Sequence, residues 1–148
     1  MKYLLDTNVV SDPLRPTPSP AISQRLTRHA GEMAIPAPVW HELRFGCVRL
    51  APSRRRTAIE RYLEDVVRAS LPILDYDQPA ADWHALERAR LAAVGNPTSF
   101  VDGQIAAIAY VNDLILVTAT ALMLRQLTDN NAFSGICPFQ LLVSLRAA

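Results

Sequence analysis

The chain has 148 residues, half of them hydrophobic, and a formal net charge of +1, which predicts one domain with its own core and no global field that would attract nucleic acid. It lacks the run of ~20 apolar residues that crosses a bilayer and shows no secretory signal, so we expect a cytoplasmic protein that does not enter a membrane. Cys47 and Cys137 are far apart and outside any Cys-x-x-Cys spacing, which argues against a disulfide framework or a zinc site.

Short apolar runs and amphipathic segments alternate from the N-terminus. Tyr3–Leu5 predicts a short strand, and the fourfold apolar spacing in residues 19–30, before Gly31, predicts an amphipathic helix. Residues 33–35 predict a second strand. Pro38 fits the first position of a helix that runs through "VWHELRFGCVRL".

The middle of the chain predicts another helix and another strand. Ser53 is a plausible N-cap. The expected apolar face of the helix that follows consists of Ile59, Leu63, Val66 and Val67. The segment "LPILDYD", residues 71–77, predicts a third strand that ends in acids.

Two further helices and a strand follow. Residues 78–94 predict a helix closed by Gly95. Its expected apolar side consists of Trp83, Leu86, Ala89 and Ala93. Ser99 can cap the next helix, "FVDGQIAAIAYVN", which leads into "DLILVT", an apolar run typical of a strand covered on both faces.

This alternation of strands and helices predicts the fold class. It indicates an α/β domain with a central parallel sheet flanked by helices, and no repeat or composition break divides residues 1–148. Residues 12–20 hold four prolines and are interpreted as a loop within this single domain.

Three acids lie where the predicted strands end or where neighbouring helices begin. Asp6 follows the first strand, Glu42 lies about one turn into the helix after the second, and Asp102 lies in the helix before the fourth. The functional crevice of an open parallel sheet lies at the carboxyl ends of its strands. We therefore expect the three carboxylates to approach one another.

Each acid also has a purely structural explanation. Asp6 fits a turn or helix cap, Glu42 suits a helix dipole, and Asp102 forms a loose capping box with Ser99. Together they point to more, because carboxylates within ~4 Å repel by about 4 kcal/mol at a dielectric near 20. Such a cluster persists if it is protonated or holds a cation, and oxygen ligands suit Mg²⁺ or Mn²⁺.

Arginines are concentrated between residues 43 and 68, a segment that contains seven arginines and three acidic residues. This segment could line a phosphate-binding face or could be a solvated helix surface. The histidines show no partnered nucleophile pattern, and we expect His29, His41 and His84 at the surface or its boundary.

Three segments together resemble a known family. "LLDTNVVS" near the start, "PAPVWHELRFGC" from residue 36 and "FVDGQIAAIAYVNDLILVT" from residue 100 are similar to PIN-domain ribonucleases, and more narrowly to the VapC toxins of type II toxin-antitoxin systems. The resemblance covers about residues 1–118. It implies a Rossmann-like sheet and a Mg²⁺-dependent endoribonuclease.

The resemblance also implies roles for individual residues and partners. Asp6, Glu42 and Asp102 would hold the metal and serve catalysis, with Asn8 and Thr118 as supporting residues behind them. Weaker candidates for RNA backbone contacts are Arg15, Arg44, Arg54, Arg55 and Arg56. The implied partners are an RNA substrate, a VapB-like antitoxin and a second copy of the chain in a homodimer.

Residues 119–148 depart from the family pattern. After Thr118 the family usually shows T-x-N-x-x-D, which supplies a fourth acid, whereas this chain has Thr120 and Met123 at the Asn and Asp positions. Asp129 is the one acid in this tail. A change of reading frame near Thr120 is one explanation, and the coding DNA would test it.

Two other functions remain open at this point. A site short of one carboxylate could leave a catalytically weakened PIN-like module that binds RNA or antitoxin. A small-molecule hydrolase or phosphatase on a similar sheet is a further alternative, although Asp6 is followed by Thr7 and Asn8 without the second Asp that such phosphatases use.

Overall fold

The computed structural model describes residues 1–118. The predictions for the tail, including the roles considered for Thr120, Met123 and Asp129, fall outside the described residues. Within the described part no helix is long and apolar enough to cross a membrane.

The described residues form a parallel sheet of four strands in the order β3-β2-β1-β4. The strands are β1 Tyr3–Leu5, β2 Met33–Pro36, β3 Ile73–Leu74 and β4 Ile115–Val117. β1 is central, because Tyr3 is paired with Met33 on one side and with Ile115 on the other. The predicted α/β fold class is confirmed.

Helices connect and cover these strands. Along residues 1–118 they are α1 Thr7–Val10, α2 Pro20–Arg28, α3 Ala37–Val48, α4 Arg54–Arg61, α5 Gln78–Ala93 and α6 Phe100–Val111. A 3₁₀ turn spans Asp12–Leu14, and a π-helical segment, Tyr62–Arg68, continues α4. Ser53 and Ser99 are N-caps as expected, and α3 begins one residue before the predicted Pro38.

The core lies on both faces of the sheet. Leu4 and Leu116 are fully buried in β1 and β4, and α6 contributes a nearly continuous run of buried residues from Gly103 to Ala109. Burial of this apolar surface is the main source of stability. This packing also holds the carboxyl ends of β1 and β4 in place. The N-terminal turn of α6 is held by the same core.

Three local predictions were wrong. The third strand covers two residues rather than seven, because Tyr76 turns aside to contact a helix and Asp77 caps α5. The single helix expected after Ser53 changes to π geometry, which leaves Val66 about half exposed.

The third error concerns the face that α5 buries. Leu86 is 75% exposed and Ala89 is exposed, whereas Ala80, His84 and Leu91 are buried. The apolar spacing was misleading because α5 packs mainly on α6, and a close approach between two helices favours small or flat side chains.

Candidate active site

Asp6 lies at the carboxyl end of the central strand. Its backbone N–H donates to the carbonyl of Val117 at 3.0 Å, which extends the sheet pairing by one step beyond β1. It is also the N-cap of α1, whose first turn bonds back to the Asp6 carbonyl. The residue is only 7% exposed, so both its backbone bonds and its burial fix its position.

The two carboxylate oxygens of Asp6 have different donors. Oδ1 accepts from the backbone N–H of Thr7 at 2.7 Å, and Oδ2 accepts from the hydroxyl of Thr118 at 2.7 Å. Thr118 is fully buried at the end of β4. These contacts orient the carboxylate, and the role of Thr118 behind a metal site stays a prediction.

Glu42 lies on the exposed side of α3 and reaches the same region through Thr7. The Thr7 hydroxyl donates to Oε2 of Glu42, while the Thr7 backbone N–H donates to Asp6. Thr7 therefore links two of the three predicted acids through two different atoms of one residue.

Asp102 lies in the first turn of α6. Its backbone N–H donates to the Ser99 hydroxyl at 3.1 Å, and its side chain is half-buried. The position of its carboxylate depends on where the start of α6 packs, because no described strand carries it.

The Asp6 carboxyl is affected by its burial, by its hydrogen bonds and by the charges of the other two predicted acids. Burial is the largest cause that raises the pKa of Asp6 above its ordinary value of 3.8. The hydrogen bonds from Thr118 and Thr7 oppose this shift, and the charges of Glu42 and Asp102 add to it. Glu42 and Asp102 therefore act on Asp6 as like charges, and the convergence of the three carboxylates on one metal stays a prediction.

The donor chemistry of this crevice fits a hard divalent cation. All three groups offer carboxylate oxygen, which Mg²⁺ and Mn²⁺ prefer, and a positive charge would relieve the repulsion at Asp6. Among residues 1–118 no group of three or more His, Cys, Asp or Glu side chains is close enough to hold a metal ion. The ligand set and the metal therefore remain predictions.

The other predicted residues fall in several environments. Asn8 is half-buried in α1, two residues after Asp6. Arg44 pairs with Glu64 at 3.1 Å, and Arg56 donates to Glu60 at 3.0 Å and to the Leu50 carbonyl at 3.0 Å. These contacts give both arginines structural roles.

Three arginines remain more available. Arg54 and Arg55 are exposed in the first turn of α4 and make no ion pair within the described chain. Arg15 is exposed and approaches Asp12 at 3.7 Å. RNA contact by any of the five arginines stays a prediction.

Two buried polar residues were missed or misjudged from sequence. Asp12 is almost fully buried and accepts from the Ser19 backbone N–H at 2.8 Å, which ties the proline-rich loop to the start of α2; the Asp-Pro pair was a turn signal. His84 was expected near the surface but is 3% exposed. Its burial results from packing against Gly103, and a glycine inside a predicted helix was the available signal.

Comparison with known proteins gives the family. The profile of the PIN domain matches residues 3–120, which include all the predicted acids and Thr118. The chain belongs to the PIN-domain family.

Relatives place this PIN domain with the VapC-type toxins. It is 31% identical to the tRNA(fMet)-specific endonuclease VapC of Shigella flexneri over 80% of this chain and 86% of that one. It is 32% identical to Toxin FitB of Neisseria gonorrhoeae, over 78% and 85%. A solved DNA-bound VapBC from Salmonella typhimurium has a TM-score of 0.72 at 29% identity, covering 86% of this chain and 90% of that one.

Proposed function

We propose that this PIN domain is an endoribonuclease toxin that hydrolyses RNA phosphodiester bonds with Mg²⁺ held by Asp6, Glu42 and Asp102. The observation that carries the proposal is the buried Asp6 carboxylate at the end of β1, which Thr118 and the Thr7 backbone orient while the Thr7 hydroxyl bonds to Glu42. The names of the relatives, an endonuclease VapC and Toxin FitB, support this reaction class.

The residues of the crevice have separable tasks in this reaction. Thr118 and the Thr7 backbone orient Asp6, and the Thr7 hydroxyl holds Glu42 beside it. Asp102 adds a carboxylate from the start of α6. A bound Mg²⁺, or Mn²⁺ in its place, would activate a water and balance the charge that builds on the phosphate.

The expected products follow from attack by water. No 2′-hydroxyl acts as the nucleophile, so cleavage leaves a 5′-phosphate and a 3′-hydroxyl. Among the five candidate arginines, Arg54 and Arg55 are the most available to an RNA backbone, because described acids do not neutralise them.

A VapB-like antitoxin is the proposed regulatory partner. Support comes from the VapBC relative and from the charge of the crevice, where three carboxylates would attract a basic side chain of the antitoxin. The homodimer implied by the family is part of the same proposal.

The test compares purified full-length protein with two matched variants. Wild type and Asp65→Asn, which removes an exposed acid of the π-helical segment, should cleave RNA with Mg²⁺ and stop when EDTA is added. Asp6→Asn should be slower by about 100-fold or more, because it removes charge that is preorganised for the reaction. Cleavage that persists in EDTA, or in Asp6→Asn at the wild-type rate, would refute the proposal.

A second candidate is a weakened module that binds RNA or antitoxin without efficient cleavage. Two observations favour it: the departure from the T-x-N-x-x-D pattern and the lack of an assembled three-ligand group within residues 1–118. For wild type, this candidate predicts no metal-dependent products in the cleavage assay. In a separate filter-binding assay it predicts that the protein retains RNA.

A further inference from the structure

An unusual contact joins α5 and α6 next to Asp102. The imidazole of His84 packs directly on Gly103, the residue that follows the acid. A methyl group added at Gly103 would lie 2.1 Å from Nε2 of His84 and 2.7 Å from its Cδ2. Atoms cannot approach so closely, so the ring occupies the volume that any other side chain at position 103 would need.

The ring has little freedom to move away. Its Nδ1 is 2.9 Å from the Tyr76 hydroxyl, and its centroid is 5.1 Å from that of Phe100. Tyr76 lies between β3 and α5, so this hydrogen bond connects the ring to a segment outside both helices. The buried imidazole thus acts as a fixed spacer against the first turn of α6.

The contact costs stability in two ways. Nε2 of His84 is buried with no hydrogen-bond partner within residues 1–118, and an unpaired buried polar atom is unfavourable. Glycine in a helix interior also costs roughly 0.5–1 kcal/mol relative to alanine. Both costs fall on one contact, one residue from an acid of the crevice, and such departures from stable packing are expected at functional sites.

We propose that His84 is a positioning residue, whose contact with Gly103 sets where the first turn of α6, and with it the Asp102 carboxylate, lies in the acidic crevice. This inference rests on the proposed function. His84 touches Gly103 rather than the substrate, and it acts through the backbone that carries Asp102.

The test is a cycle of full-length variants: Gly103→Ala, His84→Ala and the double variant. Leu91→Ala is the matched control, because Leu91 is buried on the same helix but lies two turns beyond His84. Mn²⁺ affinity, measured from the electron paramagnetic resonance of free Mn²⁺, is read beside kcat and KM for RNA cleavage. A third measurement is the NMR signal of the Asp102 backbone amide, whose N–H donates to Ser99. It reports on the first turn of α6 and can be recorded without metal.

With His84 present, Gly103→Ala should weaken Mn²⁺ binding and lower kcat by about 10-fold to 100-fold, as a displacement near 1 Å does, with KM little changed. Without the ring the methyl group has room. The same substitution made in the His84→Ala background should therefore change the Mn²⁺ affinity and kcat by less than about threefold each. The Asp102 amide signal should shift in Gly103→Ala and return towards its His84→Ala position in the double variant. Leu91→Ala should retain Mn²⁺ affinity.

An equal effect of Gly103→Ala in both backgrounds, or wild-type Mn²⁺ affinity in folded Gly103→Ala, would overturn the inference. If Gly103→Ala does not fold, the double variant must be at least as resistant to urea as His84→Ala, and lower resistance overturns the inference. Failure of wild type to bind Mn²⁺ counts against the proposed function, and the positions of the Asp102 amide signal then decide the inference alone.

Discussion

Asp6 and Asp102 are the same residue type and are predicted to share one crevice, but different structures hold them. Asp6 ends the central strand, pairs through its backbone with β4 and has a donor on each carboxylate oxygen. Asp102 is half-buried on the first turn of α6, where Ser99 binds its backbone. The strand-held acid is thus fixed by hydrogen bonds to the side chain, and the helix-held acid by the packing of a whole helix.

This difference separates the energetic roles of the two acids. Asp6 is largely desolvated, so its charge opposes folding unless something compensates it. Asp102 keeps access to water, and its charge has less effect on the fold. Substitutions at Asp6 or at its hydrogen-bond donors should therefore change the free energy of unfolding much more than substitutions at Asp102.

The largest expected effect is at Thr118. Thr118→Val removes the hydroxyl that donates to Oδ2 of Asp6 in a fully buried position, and we expect a loss of about 2 kcal/mol in the free energy of unfolding. Urea denaturation would measure it, with Thr118→Ser as a control that keeps the hydroxyl. Equal stability of the Val and Ser variants would show that this contact does not anchor Asp6.

Asp6→Asn should have the opposite sign. The amide oxygen of Asn can still accept from the Thr7 N–H, its NH₂ group can donate to the Thr118 hydroxyl, and it carries no buried charge. We therefore expect a gain of about 1 kcal/mol at pH 7. Asp6 has a raised pKa, so the folded state of wild type keeps its proton to higher pH than the unfolded chain. The gain should be absent below pH 3.8 and should grow as the pH rises through the raised pKa.

Urea titrations of wild type and Asp6→Asn at a series of pH values would check this sign. They should be run in EDTA, because a bound cation would stabilise wild type alone. A variant that is less stable than wild type at pH 7 would mean that the charge of Asp6 is already compensated within the fold.

Ser99→Ala tests the anchor of the helix-held acid. It removes the N-cap oxygen that accepts from the Asp102 N–H, and we expect a cost of about 1 kcal/mol. Ser53→Ala, which removes the corresponding cap of α4, is the control for helix capping away from the crevice. Only Ser99→Ala should also weaken Mn²⁺ binding, and an equal loss in both would contradict a link between this cap and the site.

The smallest effect is expected from Asp102→Asn. The side chain is half-buried and the backbone bond to Ser99 remains, so stability should change by less than about 0.5 kcal/mol while RNA cleavage is lost. Thermal unfolding beside a cleavage assay measures both. A large loss of stability would place Asp102 with Asp6 as an acid that the fold itself requires.

The sequence was enough to predict the parallel sheet, and it placed Asp6 at the end of a strand; the meeting of the three acids stays a prediction. Asp6, Glu42 and Asp102 each follow or precede a strand, and the carboxyl ends of parallel strands share one edge of a sheet. How closely the acids approach could not be predicted, because this depends on how α3 and α6 pack. The link through Thr7, whose backbone N–H binds Asp6 and whose hydroxyl binds Glu42, has no signature in a linear pattern.

The helix faces were less predictable for a physical reason. Periodicity finds apolar stripes, and in α5 it selected Leu86, which is exposed. The surface that α5 buries is decided by the close approach of α6, where a glycine meets an imidazole. The spacing of apolar residues within one helix does not show which surface of a distant helix it will fit.

The bond between Thr118 and Asp6 also bears on synthesis in the cell. It joins residues 112 positions apart, and the strand that carries Asp6 is paired on one side with β4, the last strand of the described chain. During translation the acid at position 6 emerges early but has no completed setting until residue 118 has emerged as well. The setting of this carboxylate is therefore completed only after nearly all of the described residues have been synthesised.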